Sequence, residues 1–130
     1  MNNKATGITG VRTVGILVAD QNRALEFYVD KLGFEKRLDV PMPQPGKRWI
    51  EVALPGSPTT IALIGAHESL PAGGETGIRL TAADVDAVHA HLLEAGVAAD
   101  QVLRWEGVPP MFAFRDQDGN GLEIVGEHHR

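Results

Sequence analysis

The side chain most able to do chemistry in this sequence is a glutamate near the C-terminus. Glu123 lies in an apolar run, 121–125, that follows a turn-forming segment rich in Asp, Gly and Asn, 116–120. Apolar runs on both sides of such a turn predict a β-hairpin. Because side chains alternate along a strand, Glu123 points away from the face that holds Leu122 and Ile124. Glu123 is therefore either a solvated outer residue or a carboxylate that lines a cup.

The two tryptophans supply a second kind of chemistry. Trp49 and Glu51 are two residues apart in an alternating segment, so we expect them to share one face of a strand. Trp105 and Met111 lie on either side of Pro109-Pro110, close in sequence to the mouth of the expected cup. Indole rings bind flat or cationic ligands by stacking and cation–π contacts. Core packing is an equal alternative for Trp49, whereas a site or a dimer contact is favoured for Trp105.

Composition excludes several classes of function. The 130 residues contain no cysteine, so disulfide scaffolds, thiolate metal sites and cysteine nucleophiles are excluded. The net charge of −5 argues against a nucleic-acid partner. The sequence has no apolar run of about 18 residues, so we expect no membrane association and a cytoplasmic location. It also has no Ser-His-Asp order, phosphate loop or dinucleotide fingerprint.

The predicted elements occur in the same order twice. A strand over 11–19 precedes a helix over 23–32, which Asp20 caps and Gly33 ends, and strands follow over 34–40, 48–54 and 59–64. A second strand over 76–81 precedes a helix from 83 or 84 to 95, which Gly96 ends, then short strands over 97–104 and the hairpin. We interpret one domain with two βαβββ modules, about 8–65 and 75–127, joined by a linker over 66–74. An ordinary α+β chain with a coincidental order is the alternative.

Three segments of the sequence resemble a known family. They are Val18-Ala19-Asp20 leading to Leu32-Gly33-Phe34, Asp84-Val85-Asp86 leading to Gly96-Val97, and Phe114-Arg115-Asp116-Gln117-Asp118-Gly119-Asn120 leading to Leu122-Glu123. In this order and at these separations they resemble the vicinal oxygen chelate superfamily, which includes glyoxalase I, extradiol dioxygenases, fosfomycin-resistance enzymes and bleomycin-resistance binding proteins. The resemblance covers nearly the whole chain.

The resemblance implies an α+β fold in which two βαβββ modules form a curved, cup-shaped mixed sheet with helices outside and the ligand inside, commonly in a homodimer. The alternation of side chains agrees with this arrangement. The apolar positions that helices would cover are Val14, Ile16, Ile61, Leu63, Ile78, Leu80, Leu122 and Ile124. The positions left for the concave face are Thr13, Thr60, Ala62, Gly77, Arg79 and Glu123.

The family's metal ligands do not carry over to this sequence. Metal-dependent members take one ligand from each of four equivalent strand positions, which fall here on Thr13, Ala62, Gly77 and Glu123. Only Glu123 is a good metal ligand, so we expect no metal and no other cofactor. His128 and His129, near the end of the chain, could bind stray metal, although a frayed terminus is favoured there.

These observations predict a metal-independent protein that sequesters a small organic molecule, cationic or aromatic, in its cup. The alternative is a glyoxalase-like lyase, isomerase or dioxygenase in which Glu123 acts as general base or residual metal ligand, because a carboxylate buried among apolar walls suits general-base catalysis. The expected partners are the ligand and a second copy of the chain, since open sheet edges favour a symmetric homodimer. The predicted ligand-binding residues are Thr13, Trp49, Glu51, Ala62, Arg79, Trp105, Met111 and Glu123.

Overall fold

The computed structural model describes residues 6–127, which form two four-stranded sheets. Sheet 1 contains β1 (Thr13–Val18), β2 (Glu35–Pro41), β3 (Arg48–Ala53) and β4 (Thr60–Gly65), in the spatial order β1-β4-β3-β2. Sheet 2 contains β5 (Glu75–Ala82), β6 (Ala98–Ala99), β7 (Met111–Arg115) and β8 (Gly121–Gly126), in the order β5-β8-β7-β6. Strand β1 pairs with β4 in parallel, and β5 pairs with β8 in parallel. The other pairs are antiparallel.

One helical region follows the first strand of each sheet. In module 1, the half built on sheet 1, α1 (Gln21–Leu25) continues into a π-helical segment, Glu26–Lys31. In module 2, built on sheet 2, the helix is α2 (Val85–Glu94). The side chain of Asp20 accepts from two backbone N–H groups at the start of α1, and Asp84 accepts from one at the start of α2. The predicted α+β fold of two βαβββ modules is confirmed.

The first helix differs from its prediction. The sequence pattern predicted an α-helix over 23–32, but the N–H of Leu32 donates to the carbonyl of Phe27, five residues earlier, at 3.2 Å. The segment carries adjacent aromatic residues, Phe27 and Tyr28, which are 6% and 0% exposed. The wider π turn accommodates both rings against the core, a feature that helical periodicity does not reveal.

Strand boundaries also differ from their predictions. Strand β2 extends to Pro41, which pairs with Arg48, one residue beyond the predicted strand over 34–40. A proline is tolerated there because β2 is an edge strand of sheet 1. In module 2 the predicted strands over 97–104 reduce to β6 and a single bridge between Leu103 and Met111.

Each sheet has one apolar face, and both apolar faces belong to a single core. Ile16, Ile61 and Leu63 of sheet 1 are buried together with Ala24 and the aromatic pair of the first helix, while Val85 and Leu92 of α2 are buried with the sheet 2 residues. The eight positions predicted to lie on this face are all buried or packed against the core: Val14, Ile16, Ile61, Leu63, Ile78, Leu80, Leu122 and Ile124. The opposite face of each sheet, called its polar face below, is left for other contacts.

A turn of module 2 fastens the two modules together. This turn lies between β7 and β8, at residues 116–120. The Asp118 carboxylate accepts from the Ala19 N–H, and the Asn120 amide donates to the Leu17 carbonyl, each at 2.9 Å. The buried hydroxyl of Tyr28 donates to Asp116 at 2.8 Å. Burial and the neighbouring Asp116 carboxylate raise the pKa of Tyr28, so this phenol stays a hydrogen-bond donor.

Gly77 creates an irregularity in β5. Its φ of +76° is a left-handed conformation that glycine adopts without strain, and the register of β5 against β8 shifts between Glu75 and Arg79. Beyond the shift, Arg79 is paired with Glu123.

Among the helices of residues 6–127, none has the length and apolar character needed to cross a membrane.

Candidate functional site

The polar face of sheet 1 is built around a buried carboxylate. Glu51 lies on β3 opposite Ala62 of β4 and is 2% exposed. Its Oε2 accepts from Arg12 Nη1 at 2.9 Å and from the indole N–H of Trp49 at 2.8 Å, and its Oε1 accepts from the Thr60 hydroxyl at 3.0 Å. The prediction that Trp49 and Glu51 share one strand face is confirmed.

Thr13 joins this cluster from β1. The parallel register places Thr13 opposite Thr60, and the two hydroxyl oxygens are 2.8 Å apart. Arg12 Nη1 also donates to the Thr13 hydroxyl at 2.7 Å. Since Thr60 donates to Glu51, the consistent arrangement is a chain that runs from Arg12 through both hydroxyl groups to the carboxylate.

The hydrogen bonds decide the charge of Glu51. Burial on its own raises the pKa of a carboxyl group, but the donors Trp49, Arg12 and Thr60 together outweigh it and hold the pKa of Glu51 below its usual value. The carboxylate therefore stays ionised at neutral pH, and its negative charge is matched by the guanidinium of Arg12.

Sequence reasoning missed Arg12 as a site residue. The predicted strand over 11–19 contained Arg12, and alternation placed it on the side of Val14 and away from Thr13, whereas β1 begins only at Thr13. The available signal was the pairing of β1 with β4, because the N–H of Thr60 donates to the Arg12 carbonyl at 2.9 Å and so brings Arg12 beside the cluster. No single strand pattern contains that information.

Trp49 also borders a cavity of about 420 Å³ at the edge of module 1. The wall combines the loop after β2, the start of α1 and the end of β4. The lining residues are Gln21, Met42, Gln44, Lys47, Arg48, Trp49, Ile64, Gly65 and His67. An indole ring beside a cavity of this size fits the flat part of a small organic molecule.

The polar face of sheet 2 holds a second Arg–Glu pair. Arg79 Nε donates to Glu123 Oε1 at 2.9 Å, and Arg79 Nη2 lies 3.6 Å from the Met111 sulfur. The Glu123 side chain is 44% exposed. Strand alternation correctly placed Glu123 on the face away from Leu122 and Ile124. On the polar faces of the two sheets, Glu51 is the buried carboxylate and Glu123 is half-exposed.

Two of the cavities border predicted site residues of one module each, and Arg79 borders a third, of about 440 Å³, that both modules line. Glu123 and Met111 border a cavity of about 190 Å³ together with Leu103 and Ala113, whereas Trp49 borders the cavity of module 1. Trp105 lies outside both sets of lining residues, on the loop before β7, and is 53% exposed. The structure therefore brings Thr13, Trp49, Glu51 and Ala62 together in module 1 and Arg79, Met111 and Glu123 together in module 2.

The four strand positions that the family resemblance assigns to metal ligands are Thr13, Ala62, Gly77 and Glu123, and they offer few oxygen or nitrogen atoms to a metal ion. Ala62 and Gly77 have no ligand atom, the Thr13 hydroxyl is bonded to Arg12 and Thr60, and Glu123 is bonded to Arg79. Across residues 6–127, no group of three or more His, Asp or Glu side chains is placed to hold a metal ion. His128 and His129 lie outside the described residues.

The amino-acid sequence is similar to a known protein family and to a protein of known sequence. A model of the Glyoxalase/Bleomycin resistance protein/Dioxygenase superfamily matches residues 10–124. The uncharacterized protein YurT of Bacillus subtilis (strain 168) is 36% identical to this chain, over 85% of this chain and 93% of YurT. Both matches extend across the two modules.

Solved structures show the same fold. TnmS3, an antibiotic binding protein from Streptomyces sp. CB03234, is 32% identical, with a TM-score of 0.84 over 95% of this chain and 100% of TnmS3. A glyoxalase/bleomycin resistance protein/dioxygenase superfamily member from Sphaerobacter thermophilus DSM 20745 is 35% identical, with a TM-score of 0.85 over 92% of this chain and 98% of that protein.

Proposed function

Since this chain belongs to the glyoxalase/bleomycin resistance protein/dioxygenase superfamily, we propose that it binds and sequesters a small organic molecule without transforming it. The observation that carries this proposal is Trp49, whose indole N–H is fixed on Glu51 at 2.8 Å beside a cavity of about 420 Å³. A fixed aromatic side chain binds flat ligands without a large loss of conformational entropy. The likeness to an antibiotic binding protein supports the same conclusion.

The chemistry of the polar groups favours binding over catalysis. Glu51 accepts three hydrogen bonds and is enclosed, so it is unsuited to take a proton from a ligand. Glu123 is the general base of the enzymatic alternative, and Arg79 already donates to it. The poor donor set at the four strand positions supports a metal-independent mechanism.

We propose that a second copy of the chain completes the site. Trp49 and Glu123 border separate cavities within one chain, so a ligand at one does not contact the other. Module 2 also exposes three apolar side chains before β7, namely Leu103, Trp105 and Val108, at 52%, 53% and 37%. A symmetric homodimer would bury this apolar segment. It would also place the polar face of sheet 1 in one protomer beside the polar face of sheet 2 in its partner. Sedimentation as a monomer at micromolar concentration would reject the dimer.

A thermal-shift screen of aromatic compounds against Trp49→Ala and the parent tests the proposed function. Ligands that raise the melting temperature of the parent should lose most of that effect in Trp49→Ala, because the stacking surface is gone. Leu93→Ala is the control, since it truncates an exposed apolar side chain of α2 that borders neither cavity.

The outcomes separate the candidate functions. Equal stabilisation of the parent and Trp49→Ala would remove Trp49 from the site and overturn the proposal. Chemical conversion of a bound compound, detected by chromatography after incubation, would support the enzymatic alternative instead.

A further inference from the structure

We propose that the cavity beside Trp49 takes organic anions, and that Lys47 supplies the positive charge that pairs with them. This inference rests on the proposed function, since it names the charge class of the molecule that the same cavity holds. The sequence predicted a cationic or aromatic molecule, whereas the lining of the cavity favours a negative charge on the ligand.

The ionisable side chains that line this cavity are all basic. Lys47, Arg48 and His67 border it, and no Asp or Glu of residues 6–127 is among its lining residues. A cleft lined by charges of one sign attracts ligands of the opposite sign, even in a protein whose net charge is −5. An anion in this cavity therefore meets no carboxylate on the wall, and a cation finds none to pair with.

Arg48 is already committed to protein groups. Its Nε and Nη2 donate to the Asp39 carboxylate at 3.1 and 2.7 Å, and its Nη1 donates to Asn22 Oδ1 at 2.8 Å. Lys36 also donates to Asp39, at 3.3 Å. Two cations thus share one carboxylate, so this group keeps a net positive charge beside the cavity.

Lys47 is the cation of the cavity wall that no carboxylate neutralises. Within residues 6–127 its ammonium group forms no ion pair, and the residue is exposed. Its backbone is fixed, since its N–H donates to the Gln44 carbonyl at 3.2 Å and its carbonyl accepts from the Met42 N–H at 2.9 Å. An anionic ligand can pair with this ammonium without breaking an existing ion pair.

Trp49 and Lys47 border the same cavity, so one molecule in it contacts both residues. The indole N–H of Trp49 donates to Glu51, which leaves the apolar surface of the ring for the ligand. The negative charge of Glu51 does not oppose an anion there, because the carboxylate is 3% exposed and is paired with Arg12 at 2.9 Å.

Hydrogen bonds hold the wall of the cavity in place. The Gln21 Nε2 group donates to the carbonyls of Arg48 and Leu63, each at 2.8 Å, and so joins the start of α1 to β3 and β4. His67 Nδ1 lies 2.9 Å from the Ser69 hydroxyl, a hydrogen bond that orients the imidazole ring. A wall that is formed before the ligand arrives loses little freedom when the ligand binds.

Calorimetry at pH 7 with three matched compounds tests this inference: a naphthalene carboxylate, the corresponding carboxamide and the corresponding aminomethyl cation. The parent should bind the carboxylate at least about fivefold more tightly than the carboxamide, a modest factor because Lys47 is exposed to solvent. It should bind the cation most weakly of the three. Lys47→Gln should bring the carboxylate and the carboxamide within about twofold of each other, because the pairing charge is gone.

Three further variants separate a local effect of Lys47 from the total charge of the protein. Lys31→Gln removes one positive charge from an exposed lysine that does not border the cavity, and it should keep the preference for the carboxylate. Lys47→Arg retains the charge and should also keep the preference. Lys47→Glu should make the carboxylate bind more weakly than the carboxamide, because it places a like charge on the wall.

The failures of the two proposals are distinguishable. Equal binding of the three compounds by the parent, or tighter binding of the cation, together with loss of binding in Trp49→Ala, would overturn the anion preference and leave the binding function standing. A preference for the carboxylate that persists in Lys47→Gln would overturn the role of Lys47. Absence of binding by all three compounds would overturn both proposals.

Discussion

The hydroxyl of Tyr28 in module 1 donates to Asp116 Oδ2 in module 2 at 2.8 Å, and both residues are buried. Asp116 also accepts from the N–H groups of Asp118 and Asn120 and from the Asn120 amide, each at 2.9 Å. One carboxylate thus shapes the β7–β8 turn and joins it to the first helix. The same turn bonds to the Ala19 N–H and the Leu17 carbonyl, so three hydrogen bonds join it to module 1.

Tyr28→Phe should destabilise the fold by about 1.5–3 kcal/mol, because it removes a hydrogen bond to a buried charged group without changing the ring. Chemical denaturation measures the change. The double variant Tyr28→Phe/Asp116→Asn completes a double-mutant cycle with Asp116→Asn. Additive single effects would show that the bond between the modules contributes nothing of its own.

Glu51→Gln should destabilise the protein at pH 7 by about 1–3 kcal/mol, since it removes the charge that pairs with Arg12 and turns an NH2 group toward one of the donors that the carboxylate accepts from. The folded state holds the pKa of Glu51 below its ordinary value of 4.5. The stability that the carboxylate contributes is therefore fully present above about pH 4.5 and is lost as the pH falls through the lower, folded pKa.

Melting curves of parent and Glu51→Gln across pH 3–7 measure this effect, and the gap between them should narrow as the pH falls. Glu94→Gln, at an exposed position of α2, is the control and should follow the parent throughout. A gap that stays constant, or widens in acid, would show that the ionised form of Glu51 does not stabilise the fold.

Gly77→Ala should destabilise the fold by more than about 1 kcal/mol, because alanine is strained at a φ of +76°. Gly65→Ala is a matched control in β4. An added Cβ would meet nothing within 4 Å at either position, and only Gly77 has positive φ. Equal melting temperatures for the two variants would show that backbone conformation at the β5 irregularity carries no energetic penalty.

The order and faces of the elements were predictable from sequence because each depends on local alternation and local capping. Asp20, Gly33, Asp84 and Gly96 mark the helix ends directly, and the sheet residues alternate as expected. The polar clusters were not predictable in the same way. The Arg12–Glu51 contact joins residues 39 apart in sequence, and the Tyr28–Asp116 contact joins residues 88 apart. Such contacts follow from strand pairing and module docking, which no single segment encodes.

Glu123 was predicted to line the cup from strand alternation, which is also a local signal. Alternation gives the face on which a side chain lies, but it does not say whether another part of the chain covers that face. The answer for Glu123 is a half-exposed ion pair with Arg79. Glu51 is enclosed instead, because Arg12, Trp49 and Thr60 converge on it from separate segments.

Glu123→Gln should leave the stability within about 1 kcal/mol of the parent, because exposed ion pairs contribute little. If the homodimer places Glu123 in the cup, ligand affinity should fall by about one to two decades through loss of a charge-assisted hydrogen bond. Ligand-induced shifts in melting temperature provide the measurement, and Glu94→Gln provides the control. Identical ligand-induced shifts in the parent and Glu123→Gln would exclude Glu123 from the site.

The central claim, that the Trp49 face of module 1 holds a small organic molecule unchanged, is tested most directly by native mass spectrometry of the protein with a compound from the aromatic screen. We predict a dimer that carries two copies of the compound, their release with unaltered mass on denaturation, and loss of the complex in Trp49→Ala. An equally occupied Trp49→Ala protein, or release of a compound with altered mass, would contradict the claim.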